Sequence, residues 1–323
     1  MKVAVAVPLR DEEASVEALI DSLLGQSRPP DEIVVADGGS RDRTVELIQA
    51  RIDRGQPINL VQIGPAFPGR GRNEAVKASR SEWIAFTDGG IRAERNWLER
   101  MCGYVEQHPQ TNLVLGNFEP VAPTFFTKCA ALAYVPLRQQ EERTRGWRGR
   151  SIASCLVKRA IWEQVGGFPE HLRSAEDLVF LEAIEAITDE IGIVPDATVH
   201  WEIQPNIERT LRRFRTYARY DLLAGRYKNW HRALVNRYAV ITALSAATGP
   251  AAPMTFSALT LALLSARSLR SMKRKPEFVE PSVKDKALQF AATAGILGLL
   301  DYAAFRGMAS WVWHDIVEKK LQA

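Results

Sequence analysis

The side chains with the most chemical potential in this 323-residue chain are carboxylates that follow short apolar runs. Residues 82–87 are largely apolar with a β-branched centre and run into Asp88-Gly89-Gly90, the pattern of a buried strand that stops at a charged group. In an open α/β sheet the C-terminal ends of strands border the ligand crevice, and two glycines leave room beside Asp88 for a bulky anion or a metal ion. The same residues also suit an Asx-capped turn, so their role depends on what else the chain brings to that edge.

Asp11, Glu12 and Asp37 likewise follow apolar runs, at 2–7 and 32–36. Gly69-Arg70-Gly71-Arg72-Asn73 opens a helical stretch in which exposed amides and the cations Arg70, Arg72 and Lys77 favour a diphosphate; the alternative is a solvated helix face. This segment lacks both the Gly-x-Gly-x-x-Gly spacing and a Gly-Lys-Ser/Thr ending, which argues against a nicotinamide dinucleotide or an ATP-type phosphate loop. Glu176-Asp177 precedes the apolar-periodic residues 178–187, where two carboxylates either cap a helix and offset its dipole or take part in chemistry.

Elements that position these groups follow from the hydrophobic period. Runs at 2–7, 32–36, 59–63 and 82–87 alternate with helical spacing over 11–26, from Val45 to Ile48, and up to Ser79. Strands alternating with helices predict a mainly parallel sheet, with Asp11, Glu12, Asp37 and Asp88 at strand C-terminal ends. Further strands are expected at 112–118 and 151–157, a helix or loop at 127–143, and a mobile Gly/Arg-rich loop at 145–150. A hydrophobic content of 46% supports a sizeable core, and the net charge of +4 is modest, with most of the excess between 209 and 275. Cys102, Cys129 and Cys155 are widely spaced with no Cys-x-x-Cys, so neither a zinc site nor a disulfide framework is indicated, and reduced thiols suit the cytosol. The first residues enter a strand at once and offer no apolar core of signal-peptide length.

In order and spacing these motifs resemble the family 2 glycosyltransferases of the GT-A fold, which transfer a sugar from a nucleotide sugar with inversion. The resemblance spans about 3–201 and rests on Val7-Pro8 with Asp11-Glu12, the run from Asp37 to Thr44, Gly71-Arg72-Asn73-Glu74-Ala75, Phe86-Thr87-Asp88, Val165-Gly166-Gly167-Phe168 and Glu176-Asp177. It implies that Pro8, Glu12, Asp37, Gly39, Arg72, Asp88 and Gly89 line the donor site. It also implies that Asp177, beside Glu176, is the general base that takes the acceptor hydroxyl proton. A divalent cation, Mg²⁺ or Mn²⁺, is expected at Asp88, with His200 as a candidate second ligand. Gly90 stands where the family carries the second Asp of Asp-x-Asp, so diphosphate and water would complete such a site.

Beyond this region, 209–237 holds nine cations against Asp221, interleaved with aromatics. That mix suits either nucleic acid or an anionic bilayer; no recognisable nucleic-acid module accompanies it, so no nucleic-acid partner is expected. Thr216-Tyr217-Ala218-Arg219-Tyr220 replaces the Gln-x-x-Arg-Trp of processive relatives, which favours a nonprocessive enzyme. Residues 238–266 carry no charge and would extend about 43 Å as one helix, enough to cross a bilayer, although Gly249-Pro250 and Pro253 interrupt them. The run 287–300 reaches only about 21 Å before Asp301 and is short for a span. The expected organisation is a GT-A domain over 1–205, a basic amphipathic segment over 206–236 and an apolar helical region over 237–323. The expected function is transfer to a lipid-linked or envelope-glycan acceptor at the cytoplasmic face of the membrane. A nucleotide-sugar-binding membrane protein without transferase activity and a nucleic-acid-binding protein are the alternatives.

Overall fold

Residues 1–318 are described in the computed structural model. The chain separates into two units: Met1–Pro120 with Arg138–Glu202, and Val121–Leu137 with the residues from Ile203 onward. The elements follow in the order β1 (Val3–Leu9), α1 (Val16–Leu24), β2 (Glu32–Asp37), α2 (Thr44–Asp53), β3 (Ile58–Gln62), α3 (Pro68–Ala78), β4 (Trp83–Phe86), β5 (Ile91–Ala93), α4 (Trp97–Gln107) and β6 (Leu113–Val121). Then come α5 (Phe125–Tyr134), β7 (Cys155–Lys158), α6 (Arg159–Gln164), α7 (Glu176–Glu185) and β8 (Ile191–Glu202). The remaining helices are α8 (Ile207–Leu223), α9 (His231–Ala246), α10 (Ala252–Arg274) and α11 (Val283–Trp311).

Eight strands form one sheet in the order β3-β2-β1-β4-β7-β6-β8-β5. The first four are parallel, as the β-α alternation predicts, with Val3 to Ala6 paired in register with Trp83 to Phe86. Side chains alternate along β1, so Val3, Val5 and Val7 enter the core on one face while Ala4 and Ala6 enter the core on the other. Burial on both faces explains why β1, β2 and β4 read as continuous apolar runs, whereas β3 at the sheet edge is only partly buried.

The expectation of a mainly parallel sheet fails in the second half. There β4–β7, β6–β7 and β5–β8 are antiparallel, which makes the sheet mixed. β5 has only three residues and directly follows the Asp88 turn, too short a stretch for a period-2 signal.

Two local expectations also change. The helical spacing from residue 11 becomes a helix only at Val16, because Asp11 takes a left-handed conformation (φ 55°) and residues 11–13 are tied to the loop after β2. The 145–150 segment is anchored: Trp147 Nε1 donates to the Gly116 carbonyl at 2.8 Å, and the buried Arg148 guanidinium donates to Glu119 at 3.0 and 3.1 Å.

The second unit is helical. Thr210, Ala218, Asp221 and Leu222 of α8 are buried, and Gly307 of α11 is required where a Cβ would stand 2.4 Å from the Arg215 carbonyl oxygen. The basic segment is therefore only partly a free amphipathic surface. Phe214 packs edge-on against Tyr134, Arg219 pairs with Asp315 at 3.0 Å, and Asp221 accepts from Trp230 at 2.9 Å and contacts His231 at 3.0 Å. The uncharged 238–266 run does not form one helix: α9 ends at Ala246 and a 3-10 turn at Gly249–Ala251 leads into α10. α11 extends well past the 287–300 run because Asp301 is neutralised inside the unit by Arg267 and by the Tyr238 hydroxyl at 2.9 Å. Two helical stretches, Gly249–Arg274 and Val283–Val317, are long and apolar enough to cross a membrane by length and composition; the apolar window of the first is not buried, and half of that of the second is.

Candidate active site

The loops after β1 and β2 are laced together by their acidic residues. Backbone amides of Asp11, Glu12 and Glu13 donate to Ser40 Oγ, Thr44 Oγ1 and Asp42 at 2.8–3.0 Å, while the amides of Arg41 and Arg43 donate back to Asp11 and Glu13. Burial works against the Asp42 charge, but the Thr44 hydroxyl and the amides of Glu13 and Thr44 outweigh it and hold its pKa below the ordinary value. The Asp37 carboxylate is buried and shapes the same loop, accepting from the Gly39 and Ser40 amides at 3.1–3.2 Å and from the Ser40 hydroxyl at 2.5 Å. Gly39 has φ 83° and no space for a Cβ, which would meet Pro65 N at 2.9 Å.

Asp88 lies just past the end of β4, with Gly89 against Glu12. A Cβ on Gly89 would stand 2.8–2.9 Å from the Glu12 side chain, and Glu12 itself accepts a short hydrogen bond from the Ser15 hydroxyl. Pro8 packs on α3, where a Cβ on Gly71 would meet Pro8 Cβ at 2.9 Å. That contact seats α3 closely on the end of β1 and sets the position of Arg72.

Arg72 is the centre of the site. It is 3% exposed, and its two terminal nitrogens reach Asp88 Oδ1 at 2.6 Å and Glu176 Oε1 at 2.8 Å, joining the end of β4 to the start of α7. Its guanidinium also lies 5.3 Å from the centre of the Phe168 ring, which stacks on Phe180 at 3.8 Å and meets Phe86 edge-on. Burial opposes the Arg72 charge, yet Asp88, then Glu176 and Asp177, more than compensate and raise its pKa above the ordinary arginine value. Desolvation first, and then the neighbouring Glu176 charge, push the Asp177 carboxyl up to about 6 against the pull of Arg72. A carboxyl tuned in this way stays ionised at neutral pH and is a stronger base than an exposed one. Arg72 Nε, Glu176 Oε2 and Thr87 Oγ1 are buried with no hydrogen-bond partner, as expected of polar groups arranged for a ligand rather than for the fold.

Backbone conformation points the same way. Asp11 and Ala175 are the two non-glycine residues with positive φ among those described, and each immediately precedes an acidic candidate, Glu12 or Glu176. Such strain persists where surrounding structure over-determines it.

Asn73 has a positioning role that its sequence context did not disclose. Its amide donates to the Phe168 carbonyl and Glu170 and accepts from the Phe168 amide, all at 2.9 Å, clamping the Gly167-Phe168-Pro169 turn beneath Arg72. The signal was the pairing of the Arg-Asn-Glu and Gly-Gly-Phe motifs, 95 residues apart. His200 lies on β8 opposite Arg92, with Nε2 3.3 Å from Glu94 Oε1. No group of three or more His, Cys, Asp or Glu placed to hold a metal occurs among the described residues.

A mixed sheet with acidic residues at its strand ends, one helix carrying Arg72 and another opening on Glu176-Asp177 has the form of the GT-A class. The mannosyltransferase PcManGT from Pyrobaculum calidifontis, solved with GDP-Man and Mn²⁺, superposes with a TM-score of 0.58 at 18% identity, covering 97% of this chain and 87% of its own. Residues 4–156 match the model of Glycosyl transferase family 2, and over them the chain is similar to that family. Poly(ribitol-phosphate) β-N-acetylglucosaminyltransferase TarS of Staphylococcus aureus is 23% identical over 216 residues, 62% of this chain and 35% of TarS. Its segment 1–349, solved with UDP, superposes with a TM-score of 0.51 at 18% identity, covering 92% of this chain and 90% of that segment. Glycosyltransferase AglE of Haloferax volcanii is 25% identical over 179 residues, 54% of this chain and 59% of AglE. The chain thus matches about a third of the length of TarS.

Proposed function

We propose that the protein is an inverting, nonprocessive glycosyltransferase that moves a sugar from a nucleotide-sugar donor to a lipid-linked or envelope-glycan acceptor at the cytoplasmic face of the membrane. The observation that carries this reading is the Arg72 bridge, which holds Asp88 of the donor edge and Glu176 of the acceptor edge on one guanidinium. Pro8, Glu12, Asp37 and Gly39 shape the nucleoside side, Asp37 through the loop that it closes. Gly89 leaves the diphosphate side open. Asp177, with Glu176 beside it, takes the proton of the attacking hydroxyl, and its raised pKa suits that role. Arg72 faces the diphosphate and offsets the charge that develops on the leaving group.

The residues fit a divalent cation only in part. Asp88 is about one-third exposed and gives Oδ1 to Arg72, which leaves Oδ2 as a candidate ligand for Mg²⁺ or Mn²⁺. Such a cation, when bound, neutralises diphosphate charge; the protein groups that share this task are Arg72 and, as a candidate, Arg70. UDP- and GDP-sugars, as bound by the TarS segment and PcManGT, and a poly(ribitol-phosphate) acceptor, as named for TarS, are the first donors and acceptors to test.

The test is a panel of UDP- and GDP-sugars assayed for thermal stabilisation and then for turnover of whichever donor stabilises. Stabilisation with transfer or donor hydrolysis is expected. Stabilisation without turnover would favour a binding protein, a reading that the lone Asp88 keeps open, and no stabilisation by any member would remove the donor-site assignment.

A further inference from the structure

The second unit carries a groove of about 720 Å³ whose lining includes Arg237, Arg267, Arg270, Lys273 and Arg274. These five cations come from α9 and the last two turns of α10. Among the described residues one carboxylate, Asp301, answers them, and it is taken by Arg267 and Tyr238. Arg270, Lys273 and Arg274 form no ion pair with a described carboxylate and are exposed. Arg237 Nε is buried without a hydrogen-bond partner, and burial together with the Arg267 charge disfavours the Arg237 cation. Like charges gathered around one concavity repel one another unless an anion joins them, so this groove has the electrostatics of an anion site.

Its walls are not those of a site for a small hydrophilic anion. Leu263 and Leu269 also line it, and α10 continues away from the cations as a bare apolar helix in which Leu261 is 65% and Met254 78% exposed. A helix of this kind, apolar along its length and cationic at its C-terminal end, matches a ligand that is anionic at one end and hydrocarbon along the rest. The helix C-terminus itself carries partial negative charge, which the cations offset but which makes no anion site of its own. The site is therefore made by side chains.

We propose that this groove binds the phosphate head of an anionic lipid, with the lipid chain lying along the exposed face of α10. The proposal rests on reading the second unit as the membrane-facing part of the protein. It assigns lipid recognition to Arg237, Arg270, Lys273 and Arg274 rather than to the exposed arginines of α8. Bound there, the lipid head neutralises the groove and orients the apolar helix at the bilayer surface.

The experiment is flotation of the full-length protein with vesicles of phosphatidylcholine alone and of phosphatidylcholine containing phosphatidic acid, with donor-induced stabilisation measured on the same preparations. Wild type should bind both and bind the phosphatidic acid vesicles more tightly. Arg270→Gln/Arg274→Gln should lose most of that preference, roughly 25-fold at about fivefold per surface cation, and keep its binding to neutral vesicles. Both positions are exposed, so an unchanged unfolding midpoint is expected of the variant. Arg209→Gln/Arg215→Gln on α8 should lose clearly less. Equal losses from the two double variants would replace the site with diffuse surface charge and overturn the proposal. An unchanged preference in Arg270→Gln/Arg274→Gln would also overturn it, as would stabilisation by inorganic phosphate that phosphatidic acid vesicles do not reproduce. Tight binding to neutral vesicles with no anionic preference would reject the lipid site alone, whereas no binding to either vesicle would reject the membrane reading as well.

Discussion

Replacing Arg72 with Met is the most informative perturbation of the first unit. The substitution keeps an unbranched apolar stem against Phe168 but removes the charge that bridges Asp88 and Glu176. The two carboxylates do not suffer equally. Asp88 is 32% exposed and recovers hydration, whereas Glu176 is 6% exposed, already has one oxygen without a partner, and would be left as a buried uncompensated charge. Breaking a buried pair from one side costs about 3–5 kcal/mol, which for a unit of this size lowers the unfolding midpoint by roughly 6–20 °C. Adding Glu176→Gln to Arg72→Met removes the stranded charge and should restore a large part of that loss. Arg72→Lys should not, because one ammonium cannot reach both carboxylates in fork geometry. Thermal unfolding followed by circular dichroism at neutral pH reads all three variants. A midpoint within about 2 °C of wild type for Arg72→Met would refute the bridge as the centre of the site, given the size of the penalty for a stranded buried charge.

Further outcomes follow from the same geometry. The Asp177 pKa lies above its unfolded value of 3.8, so its contribution to stability is fully present below about pH 4 and is lost as pH rises through about 6. Asp177→Asn should accordingly stabilise the protein by about 1–3 kcal/mol above pH 7 and change little near pH 4, as read by unfolding midpoints across pH. Gly39→Ala should cost about 1–3 kcal/mol, because the left-handed backbone and the approach of Pro65 leave no alternative placement, and denaturant titration measures it. Asp88→Ala should weaken donor-induced stabilisation and reduce its response to Mg²⁺ or Mn²⁺; undiminished donor binding by wild type after chelation would assign the charge to Arg72 and Arg70.

The parallel half of the sheet was legible because β1, β2 and β4 are buried on both faces and β1, β2 and β3 are each followed by a helix. The end of β4 just before Asp88 was legible from the same burial, as an apolar run that stops at Asp-Gly-Gly. In the antiparallel half the runs at 112–118 and 151–157 pointed to β6 and β7, but their direction and the strands β5 and β8 were not legible. β5 is three residues long, and β8 contains Pro195 and Asp196, so neither carries a clean alternation. Membership of α5 in the second unit was hidden because its partners come late in the chain: Lys275 donates to the carbonyls of Ala131 and Leu132, some 140 residues earlier. At the site, the residue types and their order pointed to Asp88, Arg72 and the Glu176-Asp177 pair, but not to the bridge, which joins residues 104 apart. His200 looked available from its place at a strand end, and only the register opposite Arg92 shows that Glu94 is its neighbour.

The most direct test of the central claim is the turnover of purified Asp177→Asn with the donor that stabilises wild type, measured alongside donor affinity in the same preparation. The expected result is a fall in kcat of roughly 10²-fold or more with donor affinity nearly unchanged, since the base acts on the acceptor hydroxyl and not on the nucleotide. Turnover close to wild type would contradict the account and take Asp177 out of the role of base.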